Sequence, residues 1–242
     1  MKRLLCLFLA LFSLLLSSVH PTWARTVAES ADERLRLSAD VLKTIMAAPD
    51  KGIPEELLGS AKCMIVVPHL IKGGFLFGGK YGHGAATCRV GNGWSAPAFI
   101  LVRGGSAGLQ AGYEGIDLVM LIMNNQGLQR LLSSKFEITG EGSIAAGSVG
   151  RHASAGTDWK LNTEMLTYSR SKGLFAGLTL EGAVIENDPV STRAVYQSKT
   201  PFRTILSGQA TPPAGASEFM RALSQASHRA HEDESKEKSK NK

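Results

Sequence analysis

Apolar residues near the start of the chain recur with the spacing of a helix. Between residues 27 and 47 they fall on one face, and charged residues fall on the other, which is typical of an amphipathic helix. Pro49 ends this helix, and Pro54 with the acidic residues after it predicts a short second helix. The apolar face has two possible contacts: a sheet, which is usual, or a membrane. Its apolar positions include Leu35, Leu42 and Ile45.

The centre of the chain has the composition of strands. A continuous apolar run over 63–67 is typical of a buried strand, and residues 73–115 mix apolar residues with many glycines. Because glycine weakens a flat strand and favours bulges and close backbone packing, this density predicts a strongly coiled antiparallel sheet or partial barrel. A central strand over 117–123 and a short helix over 126–133 are predicted next.

The last third of the chain combines short strands with short helices. The predicted elements are β structure over 136–150, a hairpin of 166–170 with 174–181, a helix from Asp188-Pro189 to Tyr196, and a final helix over 216–227. Residues 229–242 carry almost no apolar side chains and are predicted to be disordered. The predicted fold class is therefore α+β, with a coiled glycine-rich antiparallel sheet, a long N-terminal helix and short C-terminal helices.

Residues 1–24 have the regions of a cleavable secretory signal. A basic start precedes an apolar run that ends at Leu16, and small residues lead to a cleavage position after Ala24. The run is shorter than the ~20 residues that span a bilayer, which favours cleavage over an uncleaved anchor. The mature protein would be periplasmic. Its predicted parts are one domain over 25–210, a C-terminal helix over 211–228 and a charged tail over 229–242.

The charge limits the kinds of partner. The chain has 27 basic and 21 acidic residues, a net charge of +6, and loss of two basic residues with the signal leaves +4. This mild excess suits an anionic membrane surface and is too small for a nucleic-acid binder. No histidine pair has helical metal-ligand spacing and no CxxC motif occurs, so we expect neither a metal nor a cofactor.

Cys63 and Cys88 are the cysteines of the predicted mature chain. An even pair in an oxidising compartment favours a disulfide. Cys63 begins one predicted strand and Cys88 ends another, so a bond is possible if these strands are neighbours. Two buried thiols are the alternative, because the sequence does not give the separation of the two Cα atoms.

Two glycine-rich segments resemble catalytic loops. Residues 74–81 nearly match a phosphate-binding P-loop, but Tyr81 replaces the Ser or Thr that holds magnesium, and no helix is predicted next. Residues 104–108 match the G-x-S-x-G motif, with Ser106 as the nucleophile, but strand-like sequence replaces the helix that the motif needs. We therefore expect no enzymatic activity, and a serine hydrolase using Ser106 is the least favoured function.

Several segments, in this order, resemble the SYLF domain family in its secreted bacterial branch. Together they span about residues 30–210, nearly the whole predicted mature chain. They begin with Ala-Lys-Cys-Met-Ile-Val-Val-Pro at 61–68 and Lys-Gly-Gly-Phe-Leu-Phe-Gly-Gly-Lys-Tyr-Gly at 72–82, and continue at 93–99, 117–124, 145–151, 168–177 and 205–208.

The resemblance implies a lipid-binding module. Eukaryotic members bind phosphoinositides and related acidic lipids through basic residues and an N-terminal amphipathic helix, and some contact actin. The implied lipid contacts are Leu35, Leu42 and Ile45 of the helix and the cations Lys72, Lys80, Arg170 and Lys172. In an exported protein the implied ligand is an acidic phospholipid or another envelope lipid. Ordinary solvated charge is the alternative for these cations, and a structural or scaffold protein of the envelope, with an unknown protein partner, is the alternative function.

Overall fold

The structure is a computed structural model and describes a defined part of the chain. The described residues are 22–48, 53–74, 77–107, 112–133, 135–138, 143–145, 164–171, 180, 182–197 and 200–227. The predicted signal up to residue 21, most of the predicted strand 174–181 and the tail 229–242 lie outside them.

Helices lie at both ends of the described chain, and one lies between strands in its middle. They are α1 (Thr22–Met46), α2 (Glu55–Ser60), α3 (Asn125–Leu132), α4 (Pro189–Tyr196), α5 (Phe202–Leu206), a 3-10 turn (Ala214–Ala216) and α6 (217–227). The predicted helices over 27–47, 126–133 and 216–227 are confirmed to within five residues. Helix α4 starts as predicted, because the Asp188 side chain accepts a hydrogen bond from the Ser191 N–H and Pro189 occupies the first turn.

The strands of the described residues form one sheet. They are β1 (Cys63–Gly74), β2 (Phe77–Val90), β3 (Gly93–Trp94), β4 (Ala98–Ala107), β5 (Gly112–Ile122), β6 (Lys135–Glu137), β7 (Ser143–Ala145), β8 (Met165–Ser171) and β9 (Ala183–Asn187). Their order is β6-β9-β4-β2-β1-β5-β8-β7, with β3 paired to β2. Described pairs are antiparallel apart from the parallel pair of β7 with β8. The sheet curls into a half-barrel, and the predicted α+β class is confirmed.

Helices cover both faces of the sheet. On the face that we call the helix face, α1 and α6 bury their apolar side chains against β1, β4 and β5. On the opposite face, apolar residues of α3 and α5 pack against the strand residues that point to that face, such as Ile65, Ile100 and Leu118. Helix α6 belongs to the same core as α1, since Phe219 and Leu223 are fully buried in it and the Trp94 indole donates to Ser227 Oγ at 2.8 Å.

Strand β1 lies between β2 and β5 and contains a proline. Pro68 has no N–H for the ladder, and the register with both neighbours shifts between Val66 and Ile71. His69 has a positive φ of 53° at this point, and its N–H donates to Asp117 Oδ1 at 3.1 Å. The bulge accommodates proline in a central strand. The bulge also shifts by one position the alternation of side chains between the two faces of the sheet. Val67 and Leu70 therefore share one face, and Ile71 lies on the helix face.

Strands β1 and β2 approach each other closely at Gly84. A Cβ atom at this position would lie 2.5 Å from the Val66 carbonyl oxygen and 2.9 Å from Val67 Cγ2. We expect Gly84→Ala to lower the free energy of unfolding by about 2 to 3 kcal/mol, since the backbone must shift to admit the methyl group. Urea denaturation would measure this change.

Gly59→Ala is the matched control. A Cβ atom at Gly59, inside α2, would meet nothing within 4 Å, so alanine should be neutral or stabilise by up to about 1 kcal/mol. Equal stability of the Gly84→Ala and wild-type proteins would contradict the close approach of β1 and β2.

Candidate functional site

The two candidate cations of the β1–β2 hairpin are buried. Lys72 pairs directly with Lys80 across the two strands, and they are 6 % and 3 % exposed. Directly paired residues of antiparallel strands point to the same face. Lys72 follows Leu70 by two positions, and Leu70 belongs to the core opposite the helix face. Both side chains therefore point to the face opposite the helix face, and both residues have interactions with other groups.

The other two candidate cations are described only in part. Arg170 lies in β8, where its backbone pairs with Asp117 of β5, and its side chain lies outside the described residues. Lys172 lies outside them altogether. The strand register still shows where Arg170 lies relative to Lys72. Ile116 of β5 pairs with Leu70 of β1 on one side and with Ser171 of β8 on the other. Arg170 is therefore at the same end of the sheet as the two buried lysines.

The apolar face of α1 packs on the sheet. Leu35 and Leu42 are fully buried and Ile45 is 5 % exposed. All three belong to the core that includes Met64 and Phe99 of the sheet. Of the two arrangements open to an amphipathic helix, the structure has the usual one. A membrane contact through this face would require α1 to leave the core.

The two cysteines face each other in the sheet. Cys63 pairs with Cys88 in the register of β1 with β2, and their sulfur atoms are bonded at 2.07 Å. Both residues are buried. The bond joins the start of β1 to a position near the end of β2, at the opposite end of the hairpin from Lys72 and Lys80.

The two segments that resemble catalytic loops lie in strands. Ser106 is in β4 and pairs with Gly78 of β2, and β5 begins at Gly112. The strand–turn–helix arrangement of a nucleophile elbow is therefore not formed at Ser106. Residues 74 and 77–81 belong to the hairpin of β1 with β2, which is not the strand–loop–helix arrangement of a P-loop.

A cleft of about 240 Å³ lies between α1 and the β1–β2 hairpin. Apolar walls and a few converging polar groups are typical of small-molecule sites. The lining includes Ser30, Arg34 and Leu37 from α1 and Pro68, His69, Ile71, Tyr81 and His83 from the hairpin.

One wall of the cleft carries a chain of hydrogen bonds. Tyr81 Oη lies 2.9 Å from His83 Nε2, and His83 Nδ1 lies 3.1 Å from Asp188 Oδ2. The Asp188 carboxylate also accepts from the Ser191 N–H at 3.0 Å and the Ser191 hydroxyl at 2.7 Å. Arg34 Nη1 approaches the same carboxylate at 3.4 Å. Asp188, which caps α4, therefore joins α1, β2 and α4.

The charges of this network determine the direction of its hydrogen bonds. Burial would raise the pKa of Asp188, but hydrogen bonds from His83 and Ser191 and the Arg34 charge outweigh it and hold that pKa well below its usual range. Burial lowers the pKa of Arg34, and Asp188 opposes this shift. Since a carboxylate only accepts, His83 Nδ1 carries a hydrogen, and in the neutral imidazole Nε2 accepts from the Tyr81 hydroxyl.

Sequence reasoning missed this network. It assigned Asp188 only to a helix cap, and it considered the histidines only as metal ligands. A sequence sign was present, because Tyr81 and His83 are two positions apart in a predicted strand and therefore share a face. Arg34 and Asp188 are 154 residues apart, so their proximity is a property of the tertiary structure.

Two further observations concern metal binding and membrane-spanning helices. Within the described ranges, no group of three or more His, Cys, Asp or Glu side chains could hold a metal ion. No helix in the described part of the chain is long and apolar enough to span a membrane.

The fold of the described residues is a curled half-barrel with a long helix on one face. A family model matches residues 103–226 and is described as "Ysc84: Las17-binding protein actin regulator". This match covers half of the chain, from the second half of β4 to the end of α6. The protein belongs to the Ysc84 (SYLF) domain family, which confirms the family named by the resemblance but does not test its secreted bacterial branch.

Curated relatives agree with this assignment. An SH3 domain-containing protein of Schizosaccharomyces pombe is 33% identical over 84% of this chain and 47% of its own length. LAS seventeen-binding protein 3 of Saccharomyces cerevisiae is 36% identical over 72% of this chain and 39% of its own length. The human SH3 domain-containing YSC84-like protein 1 is 29% identical over 84% of this chain and 59% of its own length. The chain spans about half the length of the curated relatives it matches.

Proposed function

We propose that this protein is an exported lipid-binding protein that docks on acidic phospholipids at an envelope membrane. Three observations support the proposal. The chain has a SYLF domain, its first 24 residues have the pattern of a secretory signal, and the Cys63–Cys88 bond is suited to an oxidising compartment.

The observation that carries the docking surface is a pair of exposed apolar residues. Ile71 and Tyr81 are direct partners across β1 and β2, and they are 38 % and 49 % exposed. Tyrosine has an apolar ring and a polar tip, which suits the boundary between lipid and water. The pair lies on the helix face beside α1, so it can contact a membrane while the apolar face of α1 stays in the core.

Positive charge lies at the same end of the sheet. Lys72 and Lys80 are the neighbours of Ile71 and Tyr81 along their strands and point to the opposite face of the hairpin. The register brings the backbone of Arg170 to this end as well. Exposed cations near an anionic leaflet add about 1 kcal/mol of attraction each; because Lys72 and Lys80 are buried on the opposite face, we expect less from them. The proposed docking surface is therefore this end of the sheet rather than the apolar face of α1.

Vesicle sedimentation tests the proposal. Protein purified from expression of the full chain is mixed with vesicles of phosphatidylglycerol and phosphatidylcholine, and with vesicles of phosphatidylcholine alone. We expect binding to the anionic vesicles that weakens as salt is raised, because exposed charges are screened. Ile71→Ser should weaken this binding about tenfold, since the side chain loses most of its apolar contact with lipid.

Val90→Ser is the matched control. Val90 is also 38 % exposed, but it is the last residue of β2 and lies at the far end from Tyr81. Its substitution should leave vesicle binding unchanged. Equal, negligible binding of the wild-type protein to both kinds of vesicle would contradict the proposal, as would equal losses in Ile71→Ser and Val90→Ser.

A scaffold protein is the second candidate function, and the family description favours it. That description names a Las17-binding actin regulator, and one relative is named for binding LAS seventeen. For an exported chain, the corresponding role is the binding of another envelope protein. A partner that crosslinks in the absence of vesicles and resists high salt would support this function over lipid docking.

A further inference from the structure

The cleft contains the three parts of an activated nucleophile. Such a site has a hydroxyl within hydrogen-bond reach of a base, and a third group that orients the base. Here the hydroxyl–base distance is 2.9 Å, from Tyr81 to His83, and the base–orienter distance is 3.1 Å, from His83 to Asp188. We propose that Tyr81 is a nucleophile that accepts acyl groups from activated acyl donors, with His83 as its general base and Asp188 as a positioning residue.

The orientation of the base is strongly constrained. Asp188 is held by the Ser191 N–H and hydroxyl and by Arg34, and it is 7 % exposed. Its carboxylate accepts from His83 Nδ1, which leaves Nε2 as the acceptor for the Tyr81 proton. The depressed pKa of Asp188 agrees with this arrangement, since the carboxylate stays ionised at neutral pH.

Tyr81 is also accessible to a reactant. Its side chain is about half exposed, and its ring lies in the wall of the cleft. Leu37, Pro68 and Ile71 provide apolar surface beside it. The Arg34 charge is countered by Asp188 at 3.4 Å, so the cleft suits an uncharged acyl group better than a free anion.

The chemistry of a phenol limits the acyl donor. As Tyr81 Oη bonds to the carbonyl carbon of the donor, its proton passes to His83 Nε2. The tetrahedral intermediate then loses the leaving group, which departs as an anion or takes the proton from His83, and acyl-Tyr81 remains. A phenol has a pKa of about 10 and a thiol one of about 8.5, so a thiolate leaves more readily than the phenolate. Thioesters and aryl esters therefore fit, whereas alkyl esters and amides, with more basic leaving groups, do not.

The proposal shares Tyr81 with the docking surface, but it does not require lipid and is tested without vesicles. The probe is p-nitrophenyl acetate, an aryl ester. The purified full chain is treated with the ester, reduced and digested with trypsin, and acetylation is followed by mass spectrometry. The peptide to follow begins at Tyr81 and ends at Arg89, and fragmentation locates the acetyl group on Tyr81.

We expect Tyr81 to react about 100-fold faster than N-acetyltyrosinamide, which is the usual contribution of a positioned general base. Tyr168 and Tyr196 are internal controls, because burial raises the pKa of both phenols. Tyr81→Phe should remove the fast acetylation. His83→Gln should slow acetylation of Tyr81 to the rate of the model compound, and Ser106→Ala should leave it unchanged.

Two results would overturn the proposal. One is a wild-type Tyr81 that reacts no faster than N-acetyltyrosinamide. The other is a folded His83→Gln protein with an unchanged Tyr81 rate, since Tyr81 would then react without its base. If His83→Gln fails to fold, the comparison of wild-type Tyr81 with the model compound decides by itself.

Discussion

Replacement of Asp188 by alanine should lower the free energy of unfolding by about 4 kcal/mol, the range in which loss of one partner of a buried ion pair falls. Three elements lose contacts at once. Arg34, whose side chain is 12 % exposed, keeps a charge without its carboxylate, α4 loses its N-cap, and His83 loses its orienting group. Urea denaturation at neutral pH would measure the change.

Asp188→Asn separates the cap from the charge. Asparagine is as good an N-cap as aspartate, so this variant should keep the bond from the Ser191 N–H to Oδ1. Its amide nitrogen takes the place of Oδ2 and cannot accept, so the hydrogen bonds from His83, Arg34 and the Ser191 hydroxyl are lost together with the charge. Arg103→Ala is a control for an exposed ion pair, because Arg103 bonds Glu186 at 2.7 Å but is 59 % exposed. It should cost less than about 1 kcal/mol. A similar small cost for Asp188→Ala would contradict a structural role of the network.

The same carboxylate predicts a pH dependence. The pKa of Asp188 is lowered in the folded protein, whereas in the unfolded chain it is near 3.9. Its stabilisation is therefore fully present above about pH 4 to 5 and is lost as pH falls toward the folded pKa. The stability difference between wild type and Asp188→Asn should be constant near neutral pH and shrink in acid. If the stability difference between the two proteins grew in acid, it would contradict a lowered pKa of Asp188 in the folded protein.

Loss of the Cys63–Cys88 bond should lower the free energy of unfolding by about 3.5 kcal/mol. The cysteines are 25 residues apart in sequence, and the chain-entropy relation for a loop of this length gives that value. The double variant Cys63→Ala/Cys88→Ala, compared with wild type by urea denaturation, would measure it. Reduction of the wild-type protein should have a similar effect and should not change the double variant.

Thiol titration tests the bond directly. The denatured protein should release two additional thiols when it is reduced, whatever the state of Cys6 in the predicted signal. Equal thiol counts before and after reduction would contradict the disulfide and would leave the two buried thiols that the sequence also allowed.

Local patterns were sufficient to predict most of the elements. The periodicity over 27–47 predicted α1, and Asp188-Pro189 predicted the start of α4, because a cap involves residues within one turn. The glycine density predicted a coiled sheet. In the structure, a bulge accommodates Pro68 in a central strand, and Gly84 allows two strands to approach closely. The helix and its cap depend on residues that are neighbours in sequence, whereas the bulge and the close approach depend on the pairing of strands.

The candidate site was harder to predict from the sequence. Lys72 and Lys80 are predicted lipid-contacting cations, and their burial was not foreseen, because the face to which they point depends on the register shift between Val66 and Ile71. The contact of His83 with Asp188 crosses 105 residues of chain. It forms because β2 and the start of α4 are both held beside β4, which pairs with β2 and with β9.

The sequence by itself therefore determined the family, the α+β class, the long amphipathic helix and the cap of α4, since these follow from ordered motifs and short-range periodicity. Only the tertiary structure decided that the apolar face of α1 packs on the sheet, that Cys63 faces Cys88, that two lysines are buried, and that Tyr81, His83, Asp188 and Arg34 meet. The physical reason is that burial and long-range contacts depend on strand register and curvature, which are set by the packing of the whole sheet.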